Sequence, residues 1–180
     1  KGTMPHGNTD WGKDYYHNEE QGKVSNLGRT YTGTGPVTWN HDHTPYGVSD
    51  LNGNVWEWLA GLRIKDGVIE FIPGNKAASP YCDLSKDSTE WQQAETSKGP
   101  VRANVECGEI TITDAVAADD YEPNYDGVRI EELEVKLSEI PQVLKDLGII
   151  PDKRAEEEGK TYVYFDATEG EYLPFRGSAF

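Results

Sequence analysis

The sequence predicts an α+β fold that is rich in loops, with short antiparallel strands and few helices. Three observations carry this expectation. Gly (19) and Pro (10) are abundant, which favours turns over long regular elements. Asp66-Gly67 sits between apolar residues, with Leu62 and Ile64 before it and Val68 to Ile72 after it, the pattern of a two-residue hairpin. Only "SEIPQVLKDLGIIP" carries a clear helical stripe, through Val143, Leu144 and Leu147.

Residues 1–46 are turn-rich and show no sustained helical period, so ordered loops pinned by Trp11, Tyr15, Tyr16, Tyr31, Trp39 and Tyr46 are expected. "TGTGPV" lacks the Gly-Lys-Ser/Thr ending of a phosphate loop. Residues 54–72 read as β structure, with Asn54, Trp56 and Trp58 on one face and Val55 and Glu57 on the other. "KDSTEWQQAE" reads as a short helix starting near Asp87, with Glu90 as a capping-box acid. "GEITITDA" reads as a strand and "AADDYEPNYDG" as an exposed acidic loop without the EF-hand ligand pattern. The main helix is predicted near residues 139–147, with Ser138 as N-cap, Pro141 in the first turn and Gly148 as the stop. "DKRAEEEGK" is a charged surface link, and "TYVYFDA" is a strand by its β-branched and aromatic content.

At 180 residues the chain is long enough for one domain with its own core. Its low mean hydropathy, −0.72, fits a loop-rich surface. A formal net charge of −15 argues against nucleic acid, because phosphate binding needs clustered Lys and Arg. It also disfavours anionic membrane surfaces. It suits a solvated, secreted or particle-borne protein, or one that binds cations. No apolar run approaches the roughly 20 residues that span a bilayer, so no membrane insertion is expected. Residues 79–129 have weak apolar periodicity and are expected to be an insertion with few core contacts and higher mobility. The chain opens on "KGTMPHGN", without an initiator Met, and stops among aromatics in "EYLPFRGSAF". It therefore reads as a single partial domain, 1–180, from the interior of a longer protein.

The densest signal is "DLNGNVWEW", residues 50–58, where Glu57 stands between two tryptophans. Two readings follow from the spacing. In one, the segment is a strand with packed tryptophans and a solvated acid. In the other, the chain curls over at Gly53, which lacks a Cβ to clash. The carboxylates of Asp50 and Glu57 and the carbonyls of Gly53 and Val55 then surround one point. Such a set of hard oxygens suits Ca²⁺ at about 2.3–2.6 Å, with water completing the shell. His41 and His43 flank Asp42 in "NHDH" and would face the same way on an extended segment, so they offer either a transition-metal pair or loop hydrogen bonds. Two cysteines, Cys82 and Cys107, are too few for a disulfide scaffold. They read as free buried thiols or one disulfide.

"GTGPVTWNHDHTPYGVSDLNGNVWEW" resembles the formylglycine-generating-enzyme (sulfatase-modifying-factor) family, whose pattern G-[LIV]-x-[DN]-[LMI]-x-G-N-[VA]-W-E-W is matched from Gly47 to Trp58. The resemblance implies an irregular C-type-lectin-like fold and a calcium site at Asp50, Gly53, Val55 and Glu57. "MPHGNTDWGKDY", "IPQVLKDLGIIP" and "YLPFRGSAF" extend the likeness to phage- and prophage-borne lectin-fold proteins, many of them targets of diversity-generating retroelements. The matched blocks exclude residues 79–129. In that branch an Arg-Gly-Gly-x-Trp block opens the ligand-binding segment. Here it reads Arg176-Gly177-Ser178-Ala179-Phe180, with Ser178 and Phe180 departing from the pattern, so the ligand-binding residues are expected mostly beyond Phe180. The enzymes of the family use two copper-holding cysteines after that block, whereas Cys82 and Cys107 precede it. The resemblance thus implies a non-catalytic binding protein of a phage tail tip or cell surface, recognising a protein or glycan ligand on a cell surface. The alternatives are an oxidase or oxygenase of the same fold and a purely structural virion protein.

Overall fold

The computed structural model describes residues 32–33, 35–51, 53–116, 122–150 and 162–176. They show a mixed α+β architecture with few short helices and several small sheets. In chain order the strands are β1 (Glu57–Trp58), β2 (Leu62–Lys65), β3 (Val68–Phe71), β4 (Gln92–Gln93), β5 (Glu95–Thr96), β6 (Gly99–Pro100), β7 (Arg102–Glu106), β8 (Glu109–Thr113), β9 (Tyr125–Arg129), β10 (Glu134–Lys136), β11 (Tyr162–Asp166), β12 (Glu171–Tyr172) and β13 (Phe175–Arg176), and the α-helix α1 is Gln142–Asp146. The residues group into two compact units. One holds the described residues up to Leu59 with Phe175 and Arg176, and the other is Ala60–Pro174. Among the described residues no helix is long and apolar enough to cross a membrane. The aromatic pins Trp11, Tyr15, Tyr16 and Tyr31 and the link "DKRAEEEGK" lie outside the described residues.

In the Ala60–Pro174 unit, a seven-stranded sheet runs β10-β8-β7-β3-β2-β12, with β4 also on β3. The β8–β10 pairing is parallel and the other pairings of this sheet are antiparallel. The expected hairpin forms. Asp66 (φ 50°) and Gly67 (φ 78°) are both left-handed, as a two-residue turn matched to strand twist requires, and Lys65 pairs with Val68. A second hairpin turns at Cys107 (φ 46°) and Gly108 (φ 88°), pairing Ala103 with Ile112 and Val105 with Ile110. These four side chains are buried, because alternate residues of β7 and β8 point to one face.

That finding corrects the expectation that residues 79–129 contribute few core contacts. Ala94, Val101, Ala103, Val105, Ile110 and Ile112 form the centre of the core with Ile69 and Leu144. The predicted helix near Asp87 is also absent. The segment turns instead, and Gln92-Gln93 pairs with β3, while Ala94 donates to the Ile69 carbonyl and Val101 donates to Ala94. A short run with local capping signals loses to an open sheet edge that satisfies its backbone. The "YDG" end of the acidic segment likewise belongs to a strand, β9.

The helix is shorter than predicted and starts after Pro141. Ser138 does not cap it. Its amide donates to Asp114 Oδ2 at 2.9 Å, and its hydroxyl binds the same oxygen. The stop is as expected. Gly148 has φ 70°, its amide donates to Lys145, and Ile149 donates to the Leu144 carbonyl, the paired bonds of a Schellman motif. Leu144 is buried in the core.

The other face of the β2–β3 hairpin is closed by charge. Arg63 and Glu70 are register partners, and Arg63 is 3% exposed. Its guanidinium donates to Glu70 Oε2 at 2.7 Å, to Glu171 Oε1 at 2.6 Å and to the Lys86 carbonyl at 3.0 Å, and it lies 4.2 Å from the Trp91 ring centre. Trp91 is itself held by its indole N–H on the Ser85 carbonyl.

Arg63→Met leaves Glu70 buried and unpaired, and should cost about 3–5 kcal/mol in urea unfolding. The double variant Arg63→Met, Glu70→Leu should cost less than the single one. Asp114 is held down to about 2 by hydrogen bonds from Ser138 and Thr96, against an ordinary value of 3.8. A depressed carboxylate stabilises the fold above its unfolded value and loses that contribution as pH falls through the folded one. The stability gap between wild type and Asp114→Asn should therefore be constant above pH 3.8 and close towards pH 2 in acid unfolding curves.

Candidate functional site

The Gly47–Trp58 segment lies in the smaller unit, behind a loop closed on itself. Val37–Trp39 forms a 3-10 turn, and the Trp39 ring occupies the space over Gly35, where a Cβ would lie 2.0 Å from it. Trp39 is buried as expected, whereas Tyr46 is almost fully exposed and pins nothing. Asn40 bridges to Ser49, His41 donates its amide to the Val48 carbonyl, and Asp50 donates its amide to the Trp39 carbonyl. "NHDH" is a turn, not an extended run. His43 has φ 57°, Asp42 accepts from the Thr44 amide and hydroxyl, and His41 Nδ1 accepts from the Val48 amide at 2.9 Å. His41 therefore makes a loop hydrogen bond, the second of its two sequence readings.

Past this loop Asp50 (φ 57°), and then Gly53 (φ 77°) and Asn54 (φ 64°), are left-handed. Only Gly adopts that region without a steric cost, and Asn and Asp tolerate it best of the rest. Val55 donates to the Gly53 carbonyl at 2.9 Å, which tightens the turn and leaves that oxygen a second lone pair. The strand is confined to Glu57–Trp58, so the chain does curl before it extends.

The two acids have different surroundings. Asp50 is 3% exposed, and its Oδ2 accepts from the Gly33 amide at 2.9 Å, while its Oδ1 is buried with no hydrogen-bond partner among the described residues. Burial pushes the Asp50 carboxyl up, the Gly33 bond opposes this, and the nearby Glu57 charge adds to the rise. Glu57 is only half-buried and is not enclosed by rings. Its Oε2 accepts from Arg176 Nη2 at 2.9 Å, across the β1–β13 pair. Asp50 is the buried one, and Glu57 already has an arginine.

The tryptophans also differ from expectation. Trp56 is 59% and Trp58 75% exposed, and both pack on Phe175, at 4.6 and 5.8 Å between ring centres. Buried Asn54 does not share their exposed surface. Because strand faces alternate, β1–β13 carries Trp58 and Phe175 on one face and Glu57 and Arg176 on the other. Arg176 was missed as a partner of this motif, although it opens the Arg-Gly block. Gly177, Ser178 and Phe180 lie outside the described residues.

Asp50, Gly53, Val55 and Glu57 thus belong to one tight turn and the strand after it. They fit a hard cation in part. The unpartnered Asp50 oxygen and the second acid favour it, while the Arg176 pair competes for Glu57. Among the described residues no three His, Cys, Asp or Glu side chains gather as a metal cluster. Cys82 is half-buried and Cys107 exposed, and both are free, so neither a disulfide nor a pair of buried thiols forms. No protein-family model matches the chain, and no curated protein matches it either.

A raised carboxyl pKa makes the ionised group a cost to the fold at neutral pH, and the cost is relieved as pH falls towards the unfolded value. In chelator at pH 7, Asp50→Asn should melt at or above the wild-type temperature. That advantage should vanish as pH falls towards 3.8, followed by circular dichroism.

Proposed function

We propose that this chain is a non-catalytic ligand-binding domain of the formylglycine-generating-enzyme type, with a C-type-lectin-like fold and a structural Ca²⁺ in its loop region. Asp50, Gly53, Val55 and Glu57 would hold the cation. The observation that carries the reading is the buried Asp50 Oδ1, which has no hydrogen-bond partner among the described residues, at the position where the resemblance requires a ligand. A buried carboxylate with one oxygen left unsatisfied is costly, and a divalent cation would remove that cost. The role of the ion is to tie the turn to the strand, not to do chemistry. The setting is a phage tail tip or a prophage-encoded surface protein, outside the cell, and the ligand is a protein or glycan on a cell surface. The acidic charge of −15 supports a partner other than nucleic acid.

Thermal melts test this. Calcium at about 100-fold above its dissociation constant should stabilise wild type by about 2.7 kcal/mol. Asp50→Asn and Glu57→Gln should lose that response. Equal melting of wild type with calcium and with chelator would remove the calcium site. Formation of an aldehyde on a cysteine-containing peptide, with copper supplied, would remove the non-catalytic reading.

A further inference from the structure

The antiparallel pair β9–β11 has two unlike faces. Val128, buried, and Val163 and Phe165, partly buried, point to the core. The opposite face carries Tyr125, Gly127 and Arg129 from β9 and Tyr162, Tyr164 and Asp166 from β11, in the register Tyr125↔Asp166, Gly127↔Tyr164 and Arg129↔Tyr162. The three tyrosines are 54–58% exposed. Their rings are nearly parallel. Tyr125 and Tyr164 are 6.2 Å apart and inclined by 12°, and Tyr162 and Tyr164 are 6.3 Å apart and inclined by 24°.

Gly127 explains how the row is held. A Cβ there would lie 2.2 Å from Tyr164 Cδ1 and Cε1. The Tyr164 ring therefore packs against the bare backbone of the glycine while the residue stays 58% exposed. The glycine is needed for space, not for an unusual φ. Three side-chain rings share one orientation on a rigid strand pair, and such ordered, exposed aromatics mark a binding surface more than a core.

The surrounding charge selects the ligand. Among the described residues of these two strands, the face carries one cation, Arg129, and one anion, Asp166. Arg129 is engaged by Glu131 at 3.7 Å, and Asp166 by the Thr168 amide at 3.1 Å. The strand residues of this face are close to neutral within a chain of charge −15. Among the described residues a polyanion would meet on this face only Arg129, whose charge is shared with Glu131, so stacking of nucleic-acid bases is disfavoured. A quaternary ammonium needs rings that converge as a cage, and these are parallel. A proline-rich peptide docks between upright rings that wall a groove, whereas Tyr164 lies over its glycine. What remains is an uncharged chain with flat C–H faces and hydroxyl rims. We infer that the β9–β11 face is a binding platform for a neutral glycan chain, whose sugar rings stack on Tyr125, Tyr164 and Tyr162 while phenol hydroxyls, Asp166 and Arg129 hydrogen-bond its rim.

This platform lies within the Ala60–Pro174 unit and does not rest on the calcium reading. Affinity electrophoresis of the full chain through gels containing a neutral β-glucan, α-glucan, xylan or galactomannan tests it. At least one polysaccharide should retard the wild type. Tyr164→Ala and Tyr125→Ala should each weaken binding about tenfold, and Tyr164→Phe should retain it. Gly127→Ala, which displaces the Tyr164 ring with every tyrosine still present, should weaken binding too. Circular dichroism identifies any variant that fails to fold, and Tyr125→Ala, at the end of the row, then stands in for Tyr164→Ala. Three results would overturn the inference: no retardation by any of the four, retardation indifferent to the folded alanine variants, or a proline-rich peptide that binds the face where the glycans do not.

Discussion

The Ala60–Pro174 unit depends on one buried guanidinium. Arg63 sits on the face of the β2–β3 hairpin away from the apolar core, and it fastens three separate pieces of chain there: its own hairpin through Glu70, the 85–91 turn through Lys86 and Trp91, and β12 through Glu171. A hairpin has two faces, and this chain is too poor in aliphatic residues to cover both with them. One face takes Ile69 and its neighbours. The other is closed by an ion network in which the guanidinium is bonded to carboxylates and a carbonyl and capped by an aromatic ring. Desolvation of such a charge is tolerable only because its partners are all in place. The turn at 85–91 is thereby held where a helix was expected.

What the sequence made legible was what local chemistry dictates. Asp66-Gly67 announces its turn because both positions need φ above zero and these residues supply it. Cys107-Gly108 builds the same turn, yet cysteine carries no such preference, and the β7–β8 hairpin went unread. Gly148 marked the helix end for a steric reason, whereas the helix start was misplaced because Ser138 serves Asp114, 24 residues earlier in the chain. The 79–129 segment looked peripheral because its apolar residues are small and widely spaced. Alternation over two five-residue strands is enough to bury Ala103, Val105, Ile110 and Ile112.

The candidate site shows the same division. Spacing and resemblance put Asp50, Gly53, Val55 and Glu57 together in one turn and strand. They could not say which acid is buried, because that depends on the Gly33 amide, 17 residues away, and on Arg176, 119 residues from Glu57. The tyrosine row was half visible. Tyr162 and Tyr164 alternate within "TYVYF", which signals one strand face, but nothing local links them to Gly127 and Tyr125 on another strand.

The pairing of β12 with β2 carries a kinetic consequence. Its ion pair joins Arg63 to Glu171 across 108 residues, while the β2–β3 and β7–β8 hairpins close over two-residue turns. Loop-closure entropy grows with the chain enclosed, and contacts remote in sequence form slowly. The hairpins are thus the early structure, and β12 is the late strand. Until it arrives, the outer edge of β2 stays unpaired and Arg63 lacks one of its carboxylates. During that interval the edge is open to strands of other chains, so the slowest contact of the Ala60–Pro174 unit is also the one that guards it against self-association.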